Sequence, residues 1–599
     1  MRKWYPLAIA CALLLCSCSP SYDGEFSAVT PTTVTTTAPT APSVEDISVD
    51  AAWTDDDRTA LSGFDDATKI VLADSDVRVQ GDGATANGSV VTISKAGAYV
   101  VSGRLSNGQL RVETDGLVTV VLNGASIHSE TTAPLFVKSA EKVIVTLADN
   151  TENGLSDGKN RVYEDAEQEE PNGTLFSKSD LTINGSGSLT VTAAFNDGIV
   201  SRDGLKIADG NVAVTAADDA VMGRDYVLIG GGDLTINAAG DGVKSTNDAG
   251  NDVGFVMIEN GSIAITSEKD GVQAESLLNV TGGSLTIVSG GGSQNAPQHS
   301  GNDFGRPPFG YGGYTDQTTD SDGKALKAGY HLMIAGGTVE TDAKDDALHS
   351  NGFLTINGGR IIVASGDDGL HADNDLVIAA GVLSVTKSYE GIEAPSITVN
   401  GGEVSVTASD DGFNASNGST TGSMNPMASD GSTFIVNGGT VYIDAEGDGL
   451  DSNGTVVITG GTVYVNGPSS GGNGSLDFAS SFTLTGGTLV AVGSLGMAET
   501  PTSNTMNSIV WYGCSLSTGQ TLTVTASDGT VVAELVASRS AQWAYVSDAS
   551  LTAGETYTIT DGTSSQIVTL KSGKNTIGNA NSGMGGMGGG GMGGRPNRW

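Results

Sequence analysis

Short runs in which apolar and polar residues alternate recur along most of the chain, separated by Asn-Gly and Gly-Gly pairs. One stretch contains three such runs, at residues 348–350, 354–356 and 361–363. Alternation with a period of two predicts half-buried strands, and the glycines supply the positive φ angles that sharp corners need. No stretch has a convincing helical period, and a glycine every few residues would weaken a helix. The pattern therefore predicts an all-β fold.

The runs belong to a repeat of about 22 residues. DDALHSNGFLTINGGRIIVASG (345–366) is followed by DDGLHADNDLVIAAGVLSVTKS (367–388) and then by YEGIEAPSITVNGGEVSVTAS (389–409). Three strands and three corners in each unit predict one coil of a parallel β-helix, with each coil stacked on the last. Propeller blades need about 40 residues, and the calcium-binding nonapeptide repeat has a different period. A small residue marks each coil, at Gly198, Ala220, Gly242, Gly271, Ala325, Ala347, Gly369, Gly391, Gly412 and Gly449.

The residue before each small residue forms what we call the acid column. Its members are Asp197, Asp219, Asp241, Asp270, Lys324, Asp346, Asp368, Glu390, Asp411 and Asp448. Equivalent residues of stacked coils lie ~4.8 Å apart, and like charges at that spacing repel by ~1 kcal/mol in water and more at lower dielectric. Calcium would neutralise the column, because it binds six to eight oxygens in irregular geometry. The predicted calcium ligands are Asp218, Asp219, Asp241, Asp270, Asp345, Asp346, Asp367, Asp368, Glu390, Asp410, Asp411 and Asp448.

A simpler interpretation is that Asp-Gly is a favourable turn dipeptide, so that recurring turns bring recurring aspartates. Two features favour cations over turns alone. The acids are doubled in several coils, and Glu390 replaces aspartate in one coil although glutamate is a poor turn residue. An asparagine would make the same turn without electrostatic repulsion.

The residue two positions after each small residue forms a second column, which we call the outer column because its neighbours are apolar or small and point inward. It runs through Val200, Met222, Lys244, Gln273, Lys327, His349, His371, Glu393, Asn414 and Asp451. A polar ridge beside bound cations suits a carbohydrate strand lying along the solenoid; a solvated strand face is the alternative. The predicted carbohydrate contacts are Lys244, Gln273, Lys327, His349, His371, Glu393 and Asn414. His349 and His371 could instead be transition-metal ligands.

The charge balance limits the classes of partner that the protein is expected to bind. The 599 residues include 69 acids and 29 bases, for a formal net charge of −40. Nucleic acid and anionic membrane surfaces require basic patches and are therefore disfavoured. Cations, or anionic polymers bridged by cations, are favoured. A hydrophobic content of 38% in regular short runs argues against disorder.

The ends of the chain indicate export. Residues 1–18 have a basic start, a short apolar run and small residues at the end, as in a secretory signal. The segment LCSC resembles a bacterial lipobox, which predicts lipidation of Cys18 and anchoring of a monomer at the cell envelope or surface; an ordinary cleaved signal is the alternative. We predict a Thr/Pro-rich tether at 19–50, the β-helix at 51–495, a small β cap at 496–575 and a Gly/Met-rich tail at 576–599, with an aromatic insertion at 291–322.

Longer motifs carry a resemblance to a known family. They include VVLNGASIHSETTAPLFVKSAEKVIVTLADNTENGLSDG (120–158), YEDAEQEEPNGTLFSKSDLTINGSGSLTVTAAFNDGIVSRDGLKI (163–207) and AYVSDASLTAGETYTITDG (544–562). They resemble the bacterial cell-surface carbohydrate-binding parallel β-helix family, of the clostridial cellulose- and pectin-binding, calcium-binding type. The resemblance implies a right-handed, polysaccharide-lyase-like β-helix, calcium bound by the Asp-rich pairs, and affinity for cellulose and polygalacturonate. Lys324 in the acid column, and Val200 and Met222 in the outer column, depart from this pattern.

Three functions remain open on these grounds. The first is a non-catalytic surface protein in which calcium bridges protein carboxylates and an acidic polysaccharide. The second is a calcium-dependent polysaccharide lyase, for which Lys244 or Lys327 would be the base. The third is a structural or adhesive protein whose calcium only rigidifies the solenoid.

Overall fold

The computed structural model describes residues 52–297, 323–417 and 429–579. The predicted signal, Cys18 and the tether lie outside the described residues, as do most of the predicted tail and of the 291–322 insertion. All described residues belong to one compact unit, Ala41–Trp599. Among them, no helix is long and apolar enough to cross a membrane.

The described chain is built mainly from stacked coils of three short strands, and equivalent strands of successive coils pair in parallel as three ladders. The first ladder contains Ala84–Asn87, Val90–Ile93, Gln109–Glu113, Leu135–Ser139, Gly173–Ser177, Asp197–Ser201, Val221–Gly223, Val243–Ser245, Val272–Ala274, Leu326–Ala328, Leu348–Ser350, Leu370–Ala372, Ile392–Glu393, Phe413–Ala415 and Leu450–Ser452. Its first pair alone is antiparallel.

The second ladder contains Lys142–Leu147, Asp180–Gly185, Gly204–Ile207, Tyr226–Ile229, Phe255–Ile258, Leu277–Val280, His331–Ile334, Phe353–Ile356, Asp375–Ile378, Ser396–Val399, Thr433–Val436, Thr455–Ile458, Ser481–Leu484 and Ser503–Asn504. The third contains Glu152–Asp157, Ser188–Ala193, Asn211–Ala216, Asp233–Ala238, Ser262–Ser267, Ser284–Ser289, Thr338–Ala343, Arg360–Ser365, Val382–Lys387, Glu403–Ala408, Thr440–Ala445, Thr462–Asn466 and Thr488–Gly493. The stack begins with Thr68–Leu72, Arg78–Gln80, Gly97–Leu105 and Val118–Ser129. The two long strands Gly97–Leu105 and Val118–Ser129 join the second and third ladders into one sheet.

The alternating pattern fixes what lies inside each coil. In one coil the inward residues Leu348, Leu354, Ile356, Ile361 and Val363 are fully buried, while the residues between them are more exposed or lie outside the core. Each inward residue stacks on its equivalents in the neighbouring coils, so that one continuous apolar core runs through the ladders. The prediction of an all-β solenoid of parallel strands is confirmed.

The corner between the second and third ladders needs glycine for two reasons. The second residue of its Gly-Gly pair has a positive φ, as at Gly337 (82°) and Gly359 (86°). A Cβ atom on Gly359 would also lie 3.0 Å from the carbonyl oxygen of Gly337 in the preceding coil. A side chain at this corner would therefore strain the backbone and push adjacent coils apart.

After the third ladder, the pairing becomes antiparallel. Ala541–Ser547 pairs with Thr488–Gly493 on one side and with Ser508–Leu516 on the other, and Lys574–Ile577 completes this extension. A separate antiparallel sheet contains Val531–Val536, Thr521–Ala526, Thr556–Thr560 and Ser565–Thr569. Trp511 and Cys514 are buried in the core between these strands, as expected for packing residues. The predicted domain boundaries stay predictions.

Among the described residues, two short helical segments interrupt the β structure, a 3₁₀ turn at Ser293–Asn295 and an α-helix at Asp55–Arg58. Thr54 and Asp57 form a capping box that begins the α-helix. Asp57 is fully buried and accepts hydrogen bonds from Thr182 and Lys206, so the helix is fixed to the outside of the second ladder. The sequence shows no helical period here because a four-residue helix is too short to have one.

We predict that Phe434→Ala destabilises the solenoid by roughly 3–5 kcal/mol, because Phe434 is fully buried and its ring centroid lies 4.9 Å from that of Phe413. The measurement is the midpoint of urea unfolding. Val162→Ala is the control, since Val162 is 66% exposed and its truncation should change stability by no more than ~0.5 kcal/mol. Equal effects of the two substitutions would contradict this assignment of the core.

Candidate functional site

The two columns expected from the repeat lie along the first ladder. Outer-column residues of successive coils are direct register partners: Val200 with Met222, Met222 with Lys244, Lys244 with Gln273, Gln273 with Lys327, Lys327 with His349, His349 with His371, His371 with Glu393, Glu393 with Asn414, and Asn414 with Asp451. The structure therefore brings all the predicted carbohydrate contacts into one row.

Aspartates of the acid column accept hydrogen bonds from the backbone of the neighbouring coil, a role that the sequence pattern does not reveal. One carboxylate oxygen of each of several members accepts a hydrogen bond from the backbone N–H of the next member. The N–H of Asp241 donates to Asp219 at 2.8 Å, that of Asp270 donates to Asp241 at 3.0 Å, and that of Asp368 donates to Asp346 at 3.0 Å. Each aspartate thus ties one coil to the next. An asparagine could accept the same bond, so this task alone does not explain the negative charge.

The second oxygen of these aspartates meets basic side chains of the protein itself. Lys244 Nζ lies 2.6 Å from Asp241 and 3.6 Å from Asp219, and Lys327 Nζ lies 3.6 Å from Asp270. The repeat alone predicts that bound cations neutralise the whole column. Between about residues 219 and 371 the protein supplies much of the positive charge from its own lysines and histidines.

Lys324 is the basic member of the acid column. Its Nζ lies 2.7 Å from Asp345 and 3.8 Å from Asp346, and all three side chains are at least nine-tenths buried. Carboxylate oxygens of Asp345, Asp346 and Asp367 lie within 4.8 Å of one another. Lys324 therefore already contributes a cationic group to a cluster that the sequence assigned to calcium.

His349 and His371 stack on each other, with ring centroids 5.0 Å apart and an interplanar angle of 11°. His349 Nδ1 lies 2.8 Å from Asp346. His371 Nδ1 lies 2.9 Å from Asp368 and 3.1 Å from Glu393. Burial disfavours the charged imidazole, but the hydrogen bonds with these carboxylates and with Asp373 outweigh it and raise the pKa of His371. His371 is therefore held as a cation within the acid column.

At the C-terminal end of the two columns, four carboxylates have raised pKa values. Burial, reinforced by neighbouring carboxylates, raises the pKa of Glu390 to about 8 and that of Asp411 to about 9. The same causes raise the pKa of Asp451 to about 7. Burial also raises the pKa of Asp448 to about 6 against the hydrogen bond that it accepts from Gly474. Within the described residues, none of these four carboxylates forms an ion pair with Lys, Arg or His.

Asp477 belongs to this uncompensated end and was missed by the sequence analysis. Carboxylate oxygens of Asp448, Asp451 and Asp477 lie within 4.8 Å of one another. Leu476 pairs with Leu450, which makes Asp477 the outer-column residue of the next coil after Asp451. The signal was present, since GSLDFA (474–479) repeats the pattern of DGLDSN (448–453), but an irregular loop before it hides the repeat.

Asn414 links the two columns at this end. Its Nδ2 donates a hydrogen bond of 2.8 Å to Glu390, while its Oδ1 is buried and has no hydrogen-bond partner in the described part of the chain. The remaining predicted acids Asp218 and Asp410 are partly buried beside Asp219 and Asp411. An all-oxygen donor set of this kind, with an acceptor oxygen left unsatisfied, fits a hard cation such as calcium.

The start of the outer column is apolar, and it is buried. Phe136, Phe176, Val200 and Met222 form one hydrophobic cluster, and Phe136 also lines a cavity of about 330 Å³ together with side chains of residues 164–170. Arg202 lies over the ring of Phe176, 5.7 Å from its centroid. The departure noted at Val200 and Met222 thus reflects packing of this end of the column.

The chain is similar to proteins of a described family. A family model named "carbohydrate-binding domain-containing protein" matches residues 87–369 and 367–589. A protein with the same description from Acetivibrio thermocellus is 38% identical over 161 residues, which are 26% of this chain and 56% of that protein. This chain therefore spans about half the length of that relative. The solved structure of the polysaccharide lyase-like protein from C. thermocellum, a gadolinium derivative, is 35% identical and covers 38% of this chain and 92% of its own, with a TM-score of 0.37.

We predict that, without divalent cations, stability falls as the pH rises. Unfolded carboxylates titrate near pH 4, whereas Glu390 and Asp411 hold protons in the folded state up to about pH 8 and 9. Across this interval the folded state binds more protons than the unfolded state, so the free energy of unfolding must decrease with pH. The measurement is the thermal midpoint from pH 5 to 9. Saturating calcium should flatten the slope, and a midpoint that rises with pH in chelator would contradict the assignment.

We also predict that Lys324→Met destabilises the protein by roughly 3–5 kcal/mol, because it removes a cation from between two buried carboxylates. Calcium should restore part of this stability by entering the cluster of Asp345, Asp346 and Asp367. The measurement is urea unfolding at pH 8 with chelator and with calcium. Lys69→Met, at an exposed lysine of the first coils, is the control and should change little in either condition. Equal losses in both conditions would mean that the cluster does not accept calcium.

Proposed function

The chain belongs to the carbohydrate-binding domain-containing protein family, and on that premise we propose that it is a non-catalytic, calcium-binding cell-surface protein. Its polysaccharide ligands would be acidic pectic polymers, cellulose, or both. The observation that carries the proposal is the uncompensated group of carboxylates at the C-terminal end of the acid and outer columns. This group of carboxylates combines high negative charge, limited exposure to solvent and several oxygen donors.

Calcium would be held there by Asp448 and by the neighbouring Asp451 and Asp477. With one oxygen from each of the three carboxylates, at least half of the six to eight positions that calcium prefers are left for oxygens of a ligand. A uronate carboxylate could occupy one of them, since an anionic polymer can approach so acidic a protein only where a cation screens the repulsion. When bound, calcium would supply this electrostatic bridge between protein and polymer.

The outer column would supply the remaining contacts. Gln273 and Asn414 offer amide groups, and Lys327, His349 and His371 offer N–H donors, all in one row at the strand spacing of ~4.8 Å. A chain of sugars lying along the solenoid would meet one such group per coil. Lys327, His349, His371 and Asn414 are ordered by ion pairs or hydrogen bonds to the acid column, which lowers the entropic cost of binding.

The lyase alternative receives no support from the geometry of Lys244. A lysine base must be neutral. Burial lowers the pKa of Lys244, but the charges of Asp219 and Asp241 and their hydrogen bonds outweigh it and raise that pKa. Lys244 is therefore held in its charged form. Its role in the proposal is to neutralise the acid column and to donate hydrogen bonds.

Several finer points belong to the same proposal. We propose the right-handed form of the parallel β-helix, a monomeric state, and export with lipid anchoring through Cys18. The solenoid would then be held at the bacterial envelope by the segment 19–50. The sequence features given above support these points.

The test measures retention of the full chain on immobilised polygalacturonate with calcium and with chelator, together with ultraviolet absorbance of unsaturated uronate products. We expect calcium-dependent retention and a flat absorbance trace. Asp448→Asn combined with Asp451→Asn should weaken retention at least roughly tenfold, because one ligand pair is lost. Asp233→Asn, which removes an equal type of charge at an exposed third-ladder position, is the control.

Two other outcomes would overturn the proposal. An absorbance rise that disappears in Lys244→Ala or Lys327→Ala would make the protein a lyase. Calcium-dependent stability without retention on any polysaccharide would make calcium a purely structural ion.

A further inference from the structure

A pair of stacked tyrosines lies on the third ladder, away from the acid and outer columns of the first. Tyr442 and Tyr464 are register partners in successive coils. Their ring centroids are 4.9 Å apart and their planes differ by 12°, so the rings lie face to face. Tyr442 is nevertheless 43% exposed. The pair therefore presents an aromatic surface to solvent, with a phenol hydroxyl at its edge.

The stack is closed at one end and open at the other. On the closed side, Tyr464 is followed by Val490, which is fully buried. On the open side, Tyr442 is preceded in register by Ser405, and Ser405 by Ser384. Two small side chains in a row cannot cover a tyrosine ring. One face of Tyr442 therefore opens above a floor of serine hydroxyls.

Polar groups flank this open ring. Asp444, the next outward residue of the same strand, pairs with Arg539 at 2.6 Å and accepts a hydrogen bond of 2.8 Å from Ser538. The Arg539 side chain keeps 22% of its surface exposed, and its Nη1 also donates hydrogen bonds to the backbone carbonyls of Ala445, Asn466 and Gly467. Glu403, on the strand that carries Ser405, is exposed as well. The ring thus has hydrogen-bonding groups beside it, and the charges near it are mostly negative.

We propose that Tyr442, with Ser405, Ser384 and the Asp444–Arg539 pair, is a second glycan subsite that takes an uncharged hexopyranose unit without a bridging cation. The apolar C–H face of a pyranose ring packs on the open face of Tyr442, and its hydroxyls bond with the serines and the flanking pair. The surrounding acids favour a neutral sugar over a uronate. This inference rests on the proposed function, because it adds a second surface to a polysaccharide-binding protein.

The experiment compares binding of the full chain to cello-oligosaccharides and to insoluble cellulose, all in chelator, using calorimetry and a retention assay. Tyr442→Ala should weaken binding at least roughly tenfold, whereas Tyr442→Phe should stay within about twofold, because the ring and not the hydroxyl makes the contact. Ser405→Leu should also abolish binding, because a bulky aliphatic side chain would cover the open face of Tyr442 without offering a new aromatic face. Ile567→Ala, at an apolar side chain that is 77% exposed on the separate C-terminal sheet, is the matched control and should bind normally.

The controls separate this subsite from the calcium site. Calcium-dependent retention on polygalacturonate should persist in Tyr442→Ala, and chelator-resistant cellulose binding should persist in Asp448→Asn with Asp451→Asn. Unchanged cellulose binding by both Tyr442→Ala and Ser405→Leu would overturn the inference. So would conversion of a dimer to a monomer by Tyr442→Ala with glycan binding intact, because the ring would then cover a second copy of the chain.

Discussion

Parallel stacking of coils in register is the constraint on which the other features depend. A side chain at a repeating position lies one strand spacing, ~4.8 Å, from its equivalents in the next and previous coils. For Leu348 and Leu370 this repetition builds the core. For carboxylates it creates repulsion that grows with every coil. Several aspartates of the acid column also tie two coils together, because each accepts a backbone hydrogen bond from the next member of the column.

The repulsion is relieved differently along the column. From Asp219 to Asp368 the relief is internal, by Lys244, Lys324, Lys327 and His371. Glu390, Asp411, Asp448 and Asp451 form no ion pair among the described residues, and these carboxylates instead have raised pKa values. The chemistry available to a ligand is therefore concentrated in the last coils. Tyr442 lies in the coil that begins at Asp411, so both candidate contact surfaces occur at the same end of the solenoid.

Periodicity explains how much of this could be predicted from the sequence. A repeat of about 22 residues with in-phase strands determines both columns, and the register partners Lys244 with Gln273 and His349 with His371 follow from it. The backbone hydrogen bonds to the aspartates could not be predicted, since they depend on the orientation of each corner. The ion pairs could not be predicted either, because the position of a lysine in the repeat does not indicate which carboxylate its side chain contacts. Asp477 was not predicted because an irregular loop shifts its position relative to the repeat. The tyrosine stack was not predicted because alternation indicates that a residue faces outward but does not indicate which side chains cover it.

The place of Lys324 has an evolutionary consequence. Solenoids lengthen by duplication of a coil, and packing permits this because each coil contacts mainly its neighbours. A duplicate of residues 366–375 would also add the carboxylates of Asp367, Asp368, Asp373 and Asp375 against the single imidazole of His371. Lys324 stands at an acid position and offsets such a gain with one side chain. Each coil added to this architecture therefore adds charge as well as packing, and a new base, a bound cation or a protonated carboxylate must offset that charge.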